Sequence, residues 1–169
     1  MSNTYKKLKK IYSEASTVSD IEGILHWDMA TMMPTKSRNQ RADQLAYIAK
    51  LKHNLISSSK VEDLINLTDL NKLEPNDKAN FLEMKREHML LSALPTDLVH
   101  SLSKASAKCE GVWQQAKKDC NFKIVEKPLN ELMILIREEA NILSHKLNCS
   151  PYESLVQKYE PSAKIGRAH

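Results

Sequence analysis

Leu25-His26-Trp27-Asp28-Met29-Ala30-Thr31-Met32-Met33-Pro34 lies between two long runs of helical spacing, and its reading decides the fold. Met33 precedes a proline and is therefore biased away from the α region, so a helix running through Trp27 is expected to stop here. The stretch reads as a helix corner. One reading makes it a hydrophobic plug, with Trp27 and three methionines filling the junction and Asp28 tying down loose backbone donors. The other gives His26 or Asp28 acid–base work. A lone His or Asp with no partner nearby in sequence favours the plug.

Upstream of the corner, Leu8, Ile11, Ala15, Val18 and Leu25 step by three and four, interrupted by Glu22, and predict one helix over about 5–27. Downstream, Ala42, Leu45, Ile48, Ala49 and Leu55 predict a second over 37–55. Ser59 with Glu62 reads as a capping box opening a short third helix through Val61, Leu64 and Ile65. Pro75 suits the first turn of a fourth, with Phe81, Met84, His88 and Leu91 on one side.

After Leu94-Pro95-Thr96 a fifth helix is predicted, with Leu98, Leu102, Ala105, Cys109, Val112, Trp113 and Ala116 inward. Residues 121–126 are expected to turn the chain, and Pro128 to open a sixth helix carrying Leu129, Leu132, Ile136, Ala140, Leu143 and Leu147. Ser150-Pro151-Tyr152-Glu153 combines a capping Ser, a first-turn Pro and a Glu at the third position, and starts a seventh that Pro161 ends. No strand pattern competes. The expected class is all-α, with long antiparallel helices in a bundle-like array, no sheet and no dividing linker.

The 169 residues are 41% apolar and 27% charged, ordinary values for a soluble globular chain with a net charge of +4. The longest apolar run, residues 132–136, is far too short to span a bilayer, and the first residues lack the apolar segment of a secretory signal, so no membrane is expected and the cytoplasm is. Lys6, Lys7, Lys9 and Lys10 form the one basic cluster and read as a solvated helix face rather than a nucleic-acid surface. Cys109, Cys120 and Cys149 are widely spaced and read as buried free thiols of a reducing compartment.

No self-contained active site is visible. None of the six histidines (26, 53, 88, 100, 145, 169) begins an H-E-x-x-H, the helical motif that sets two imidazoles one turn apart beside the glutamate of a zinc hydrolase. His145 and Cys149 are four apart, but across a predicted helix end. Three scattered glycines build no phosphate loop. Glu83/Glu87 and Glu138/Glu139 read as solvated faces rather than acid–base pairs. No catalytic or metal-ligating residue is expected.

Leu25-His26-Trp27-Asp28 through Thr31-Met32-Met33-Pro34, then Arg41-Ala42-Asp43-Gln44-Leu45-Ala46, resembles the N-terminal part of the Taq-type metallocarboxypeptidases. These usually show Leu-x-Trp-Asp-Gln-Glu-Thr-x-Met-Pro, then Arg-(Ala/Gly)-Glu-Gln-Leu. Leu94-Pro95 with Leu98, Trp113 to Phe122, and Pro151-Tyr152-Glu153-Ser154-Leu155 with Tyr159-Glu160-Pro161 follow in the family's order. Met29 and Ala30 depart from the usual Gln and Glu.

The resemblance implies a helical region, residues 1–161, that walls a substrate groove, with a divergent tail over 162–169. Trp27, Asp28, Thr31, Pro34, Gln44, Tyr159 and Glu160 carry its signature and are expected to be structural. It also implies a cytoplasmic enzyme that removes C-terminal residues from peptides with zinc, or cobalt. The family's H-E-x-x-H lies beyond the resembling part, so this chain is expected to bind no metal, to be inactive alone, and to self-associate or to be completed by a C-terminal polypeptide. The alternatives are a non-enzymatic helical scaffold for protein contacts and, on charge alone, a nucleic-acid binder.

Overall fold

The computed structural model describes residues 3–161 and 163. Seven α-helices follow in order: α1 Asn3–Thr31, α2 Arg38–Ile56, α3 Ser59–Asn66, α4 Pro75–Ser92, α5 Thr96–Lys118, α6 Lys123–Leu147 and α7 Pro151–Val156. Short 3-10 turns at Thr35–Ser37 and Leu70–Lys72 link α1 to α2 and α3 to α4. The fold is all-α, with no strand among the described residues. The tail expected over 162–169 lies outside the described residues, except Ala163, whose carbonyl accepts a hydrogen bond from Gln157 at 3.0 Å.

The chain divides into two compact units, 1–108 and 109–169, and the border falls inside α5 rather than at a loop. In the first unit, Tyr5 and Leu8 of α1 close on Val61, Leu64 and Ile65 of α3, Leu73, and Phe81 of α4. Tyr5 meets Phe81 edge to face, with ring centroids 6.4 Å apart. Its hydroxyl donates to Asp77 at 3.0 Å, and Tyr12 donates to the Met84 carbonyl at 2.6 Å, so both phenols sew α1 to α4. A second cluster joins Met29 of α1 to Ala42 and Leu45 of α2 and Ala107 of α5.

Two buried histidines fasten α2 to α4. His53 Nε2 lies 3.0 Å from the carbonyls of both Leu91 and Leu94. Carbonyls only accept, so that nitrogen carries the hydrogen, and Nδ1 accepts from Thr96 at 3.2 Å. His88 donates from Nδ1 to the Ile56 carbonyl at 2.8 Å. His88 is predicted on the inward side of its helix; the inward turn of His53 is not.

In the second unit, Cys109 and Ala116 of α5 pack on Val125 of α6, and Val112, Leu129 and Leu132 close the cluster. The Ser150 capping box forms as expected. Its hydroxyl accepts from the Glu153 amide at 3.3 Å, and the Glu153 carboxylate accepts from the Ser150 amide at 3.1 Å.

Four local expectations are corrected. The α3 cap is Ser58, not Ser59, and Ser58 donates its hydroxyl back to the Leu55 carbonyl instead of capping through its side chain. The start of α6 precedes Pro128, which sits inside the helix. Asn121 takes over the start: its side-chain oxygen accepts from the Lys123 amide at 3.1 Å, and Val125 anchors the first turn in the core. Cys109 is buried, whereas Cys120 is exposed, at a left-handed turn (φ 47°) after α5. Glu139 is buried rather than solvated and pairs with Lys158 at 2.8 Å.

Candidate functional site: the signature corner

The corner after α1 is built by one arginine. Arg41, in the first turns of α2, reaches back across the turn with all three guanidinium nitrogens. Nη1 donates to the Leu25 carbonyl at 2.5 Å, Nη2 to Asp28 at 2.6 Å, and Nε to Gln44 at 2.9 Å. The planar fork of a guanidinium matches this set, where a lysine ammonium would make one contact at a time. The Arg41 side chain is only 13% exposed and Asp28 33%. The pair is thus shielded from water more than an ordinary surface ion pair.

The end of α1 is closed by its own backbone. The amides of Met32 and Met33 both donate to the Asp28 carbonyl, at 3.0 and 2.9 Å, and Thr31 donates to the Trp27 carbonyl at 2.7 Å. Pro34 follows in an extended conformation (φ −60°, ψ 138°) and directs the chain into the turn before α2. Asp28, Met33, Pro34, Ser37, Gln40, Arg41 and Gln44 line a shallow cavity of about 130 Å³ between the two helices. It is large enough for a few waters, not for a peptide.

Two parts of the plug reading are corrected. Asp28 does not bind backbone donors; it accepts from Arg41, because the Asp28 carbonyl, not its carboxylate, closes the helix end. The plug itself is half made. Met29 is buried and Met33 half-buried, but Trp27 is 60% and Met32 71% exposed. The first apolar stripe of α1 fills the available core, and Trp27 stands on another side of the helix. His26 is exposed.

The remaining signature residues lie in the second unit. Tyr159 and Glu160 follow α7 and are exposed; both amides donate to the Val156 carbonyl, at 2.9 and 2.8 Å. Gln44 is held by Arg41. The Lys158–Glu139 pair beside Tyr159 is a feature that helical spacing could not reveal, since it joins residues from different elements. Among the described residues, no three His, Cys, Asp or Glu side chains come together as a metal site. No helix among the described residues is long and apolar enough to cross a membrane.

The sequence matches the model of one family, Carboxypeptidase Taq (M32) metallopeptidase, over residues 7–168. The chain belongs to the M32 metallopeptidase family. Thermostable carboxypeptidase 1 of Thermus thermophilus is 24% identical over 95% of this M32 chain and 34% of its own length. Carboxypeptidase 1 of Bacillus subtilis is 22% identical over 96% and 33%. Among solved structures, the BsuCP crystal structure superposes with a TM-score of 0.90 at 19% identity, and Trypanosoma cruzi metallocarboxypeptidase 1 with 0.76 at 29%. Each covers 97% of this chain, which matches 33% of theirs. The M32 chain therefore spans about a third of the length of the relatives it matches.

Proposed function

We propose that this chain is the helical, groove-walling part of a metal-dependent carboxypeptidase that trims residues from the C-termini of peptides, and that it does not perform the hydrolysis alone. One observation supports the reading: the fold follows Trypanosoma cruzi metallocarboxypeptidase 1 over 97% of the chain while accounting for only 33% of that protein. The 169 residues contain no H-E-x-x-H, and the described residues offer no donor set that fits a metal. A zinc or cobalt ion held elsewhere in the fold would supply the polarisation of the scissile carbonyl and the activation of water.

The part played by these residues is architectural. Arg41, Asp28 and Gln44 hold the α1–α2 corner in register, and Thr31 and Pro34 shape the turn. Peptide substrate is engaged in the cytoplasm, and only when the remainder of the fold, in the same or a complementing polypeptide, completes the groove.

The test is a C-terminally labelled peptide offered to the purified 169-residue chain with added zinc or cobalt, with and without chelator. No release above the blank is expected. Chelator-sensitive release by this chain alone would overturn the reading.

A further inference from the structure

Helix α1 carries two apolar stripes. The first, through Leu8, Ala15, Val18 and Met29, is buried by α2 and its neighbours. The second, Ile21, Ile24 and Trp27 at steps of three, winds away from it and stands 44%, 65% and 60% exposed, with Met32 at 71% beyond the helix end. A helix apolar on more than one side belongs inside a larger fold, not at its surface.

Two further features mark the same face. Gly23 precedes Trp27 by one turn, yet a Cβ at Gly23 would meet nothing within 4 Å. Nothing in the described structure therefore accounts for a glycine in mid-helix, and the open space beside it leaves room for a segment to approach the backbone closely. Residues 11–33 also contain Glu14, Asp20, Glu22 and Asp28 but no lysine or arginine. Arg41 from α2 already meets Asp28, which leaves Glu14, Asp20 and Glu22 as the charges that α1 itself sets along this stretch, and these favour an apolar partner edged with basic residues.

Resting on the reading that this chain is one part of a longer M32 fold, we propose that Ile21, Ile24 and Trp27 form the docking face for a basic-edged amphipathic helix from the two thirds of that fold these residues do not match. Trp27 is the anchor, as a large aromatic that would lose its exposure on docking.

The test is hydroxyl-radical footprinting of the protein isolated natively from its source through a genomic affinity tag, beside the 169-residue chain alone. Passing from 60% exposed to buried removes most of the area open to radicals, so Trp27 should oxidise about fivefold more slowly in the native sample. Its cross-links should lead to M32 sequence outside residues 7–168. Equal oxidation in both samples, or cross-links to a second copy of this segment alone, overturns the proposal. Ile24→Glu should strip the protection from the native sample while shifting the Tm of the 169-residue chain by no more than about 2 °C. Protection that survives this substitution also overturns it. The two readings fail separately: a protected face without chelator-sensitive carboxypeptidase activity removes the enzyme and leaves the docking face.

Discussion

At the scale of single residues, the corner depends on Arg41 more than on any residue of the tryptophan stretch that draws the eye. Removing its guanidinium ends three hydrogen bonds at once and leaves the Asp28 carboxylate without the cation facing it. Hydrogen bonds to charged groups are worth about 1.5–3 kcal/mol each when lost, but Asp28 keeps access to water, so Arg41→Ala should cost about 2 kcal/mol in all. Urea unfolding should show this as a lower midpoint at unchanged slope. Arg41→Lys should recover less than half of it, since one ammonium cannot span Leu25, Asp28 and Gln44 together. An Arg41→Lys chain as stable as the parent would show that charge alone, not the fork, holds the corner. Helical spacing marks Asp28 as a polar residue near a helix end but says nothing of a partner in the next helix. That is why the sequence points to a cap where the structure has a latch.

At the scale of elements, most helix limits were legible because local chemistry sets them. Pro75 and the Ser150–Glu153 box start helices where they were expected. Pro128 is no guide to the start because a proline inside the first two turns can follow an earlier turn, and Asn121 makes one by accepting from the Lys123 amide ahead of the Phe122 cap. Faces were legible where a single stripe was apolar, as for Leu8, Ala15 and Val18. They were ambiguous in the last turns of α1, where apolar residues point more than one way and only the tertiary fold decides which are covered. The α1–α4 contact also carries a pH dependence. Burial, with the neighbouring Asp77 carboxylate, pushes the Tyr5 phenol up to about 12, and burial likewise raises Tyr12. Both folded values lie above the ordinary phenol value, so the contribution is intact below about pH 10. Above that the unfolded chain loses protons that the folded chain keeps, and stability falls as the pH climbs through the folded values. Between pH 9 and pH 11 the Tm of the parent should therefore drop further than that of a Tyr5→Phe/Tyr12→Phe variant, which has no such phenols to ionise. Equal drops would separate these tyrosines from alkaline unfolding.

At the scale of the whole molecule, the two units differ in what holds them. Tyr5, Leu8, Leu45, Ile56, Val61 and Phe81 are among the largest fully buried side chains and lie in residues 1–108, whereas among the described residues of 109–169 Leu143 and Ser154 join them. The core of the second unit is a short seam of α5 on α6, with α7 tied on through Ser154, which donates to the Ala140 carbonyl at 3.0 Å, and through Lys158 just beyond it, which pairs with Glu139 at 2.8 Å, while the box at Ser150 holds the start of α7 itself. Apolar burial stabilises a fold at roughly 25 cal/mol per Å² of area removed from water, so the smaller core opens at the lower free energy. Because the border runs within α5 and not along a flexible linker, the opening should fray that helix from its C-terminal half rather than release an intact unit. Native-state hydrogen exchange followed by mass spectrometry reads this directly. Peptides from α6, α7 and residues 109–118 should exchange as one group, ahead of those from α1 to α4, and Ser150→Ala should speed that group alone, by about fivefold for the roughly 1 kcal/mol a lost cap costs. A single protection level over both units, or faster exchange in α1 to α4 after Ser150→Ala, would mean that the whole chain opens together despite its unequal cores.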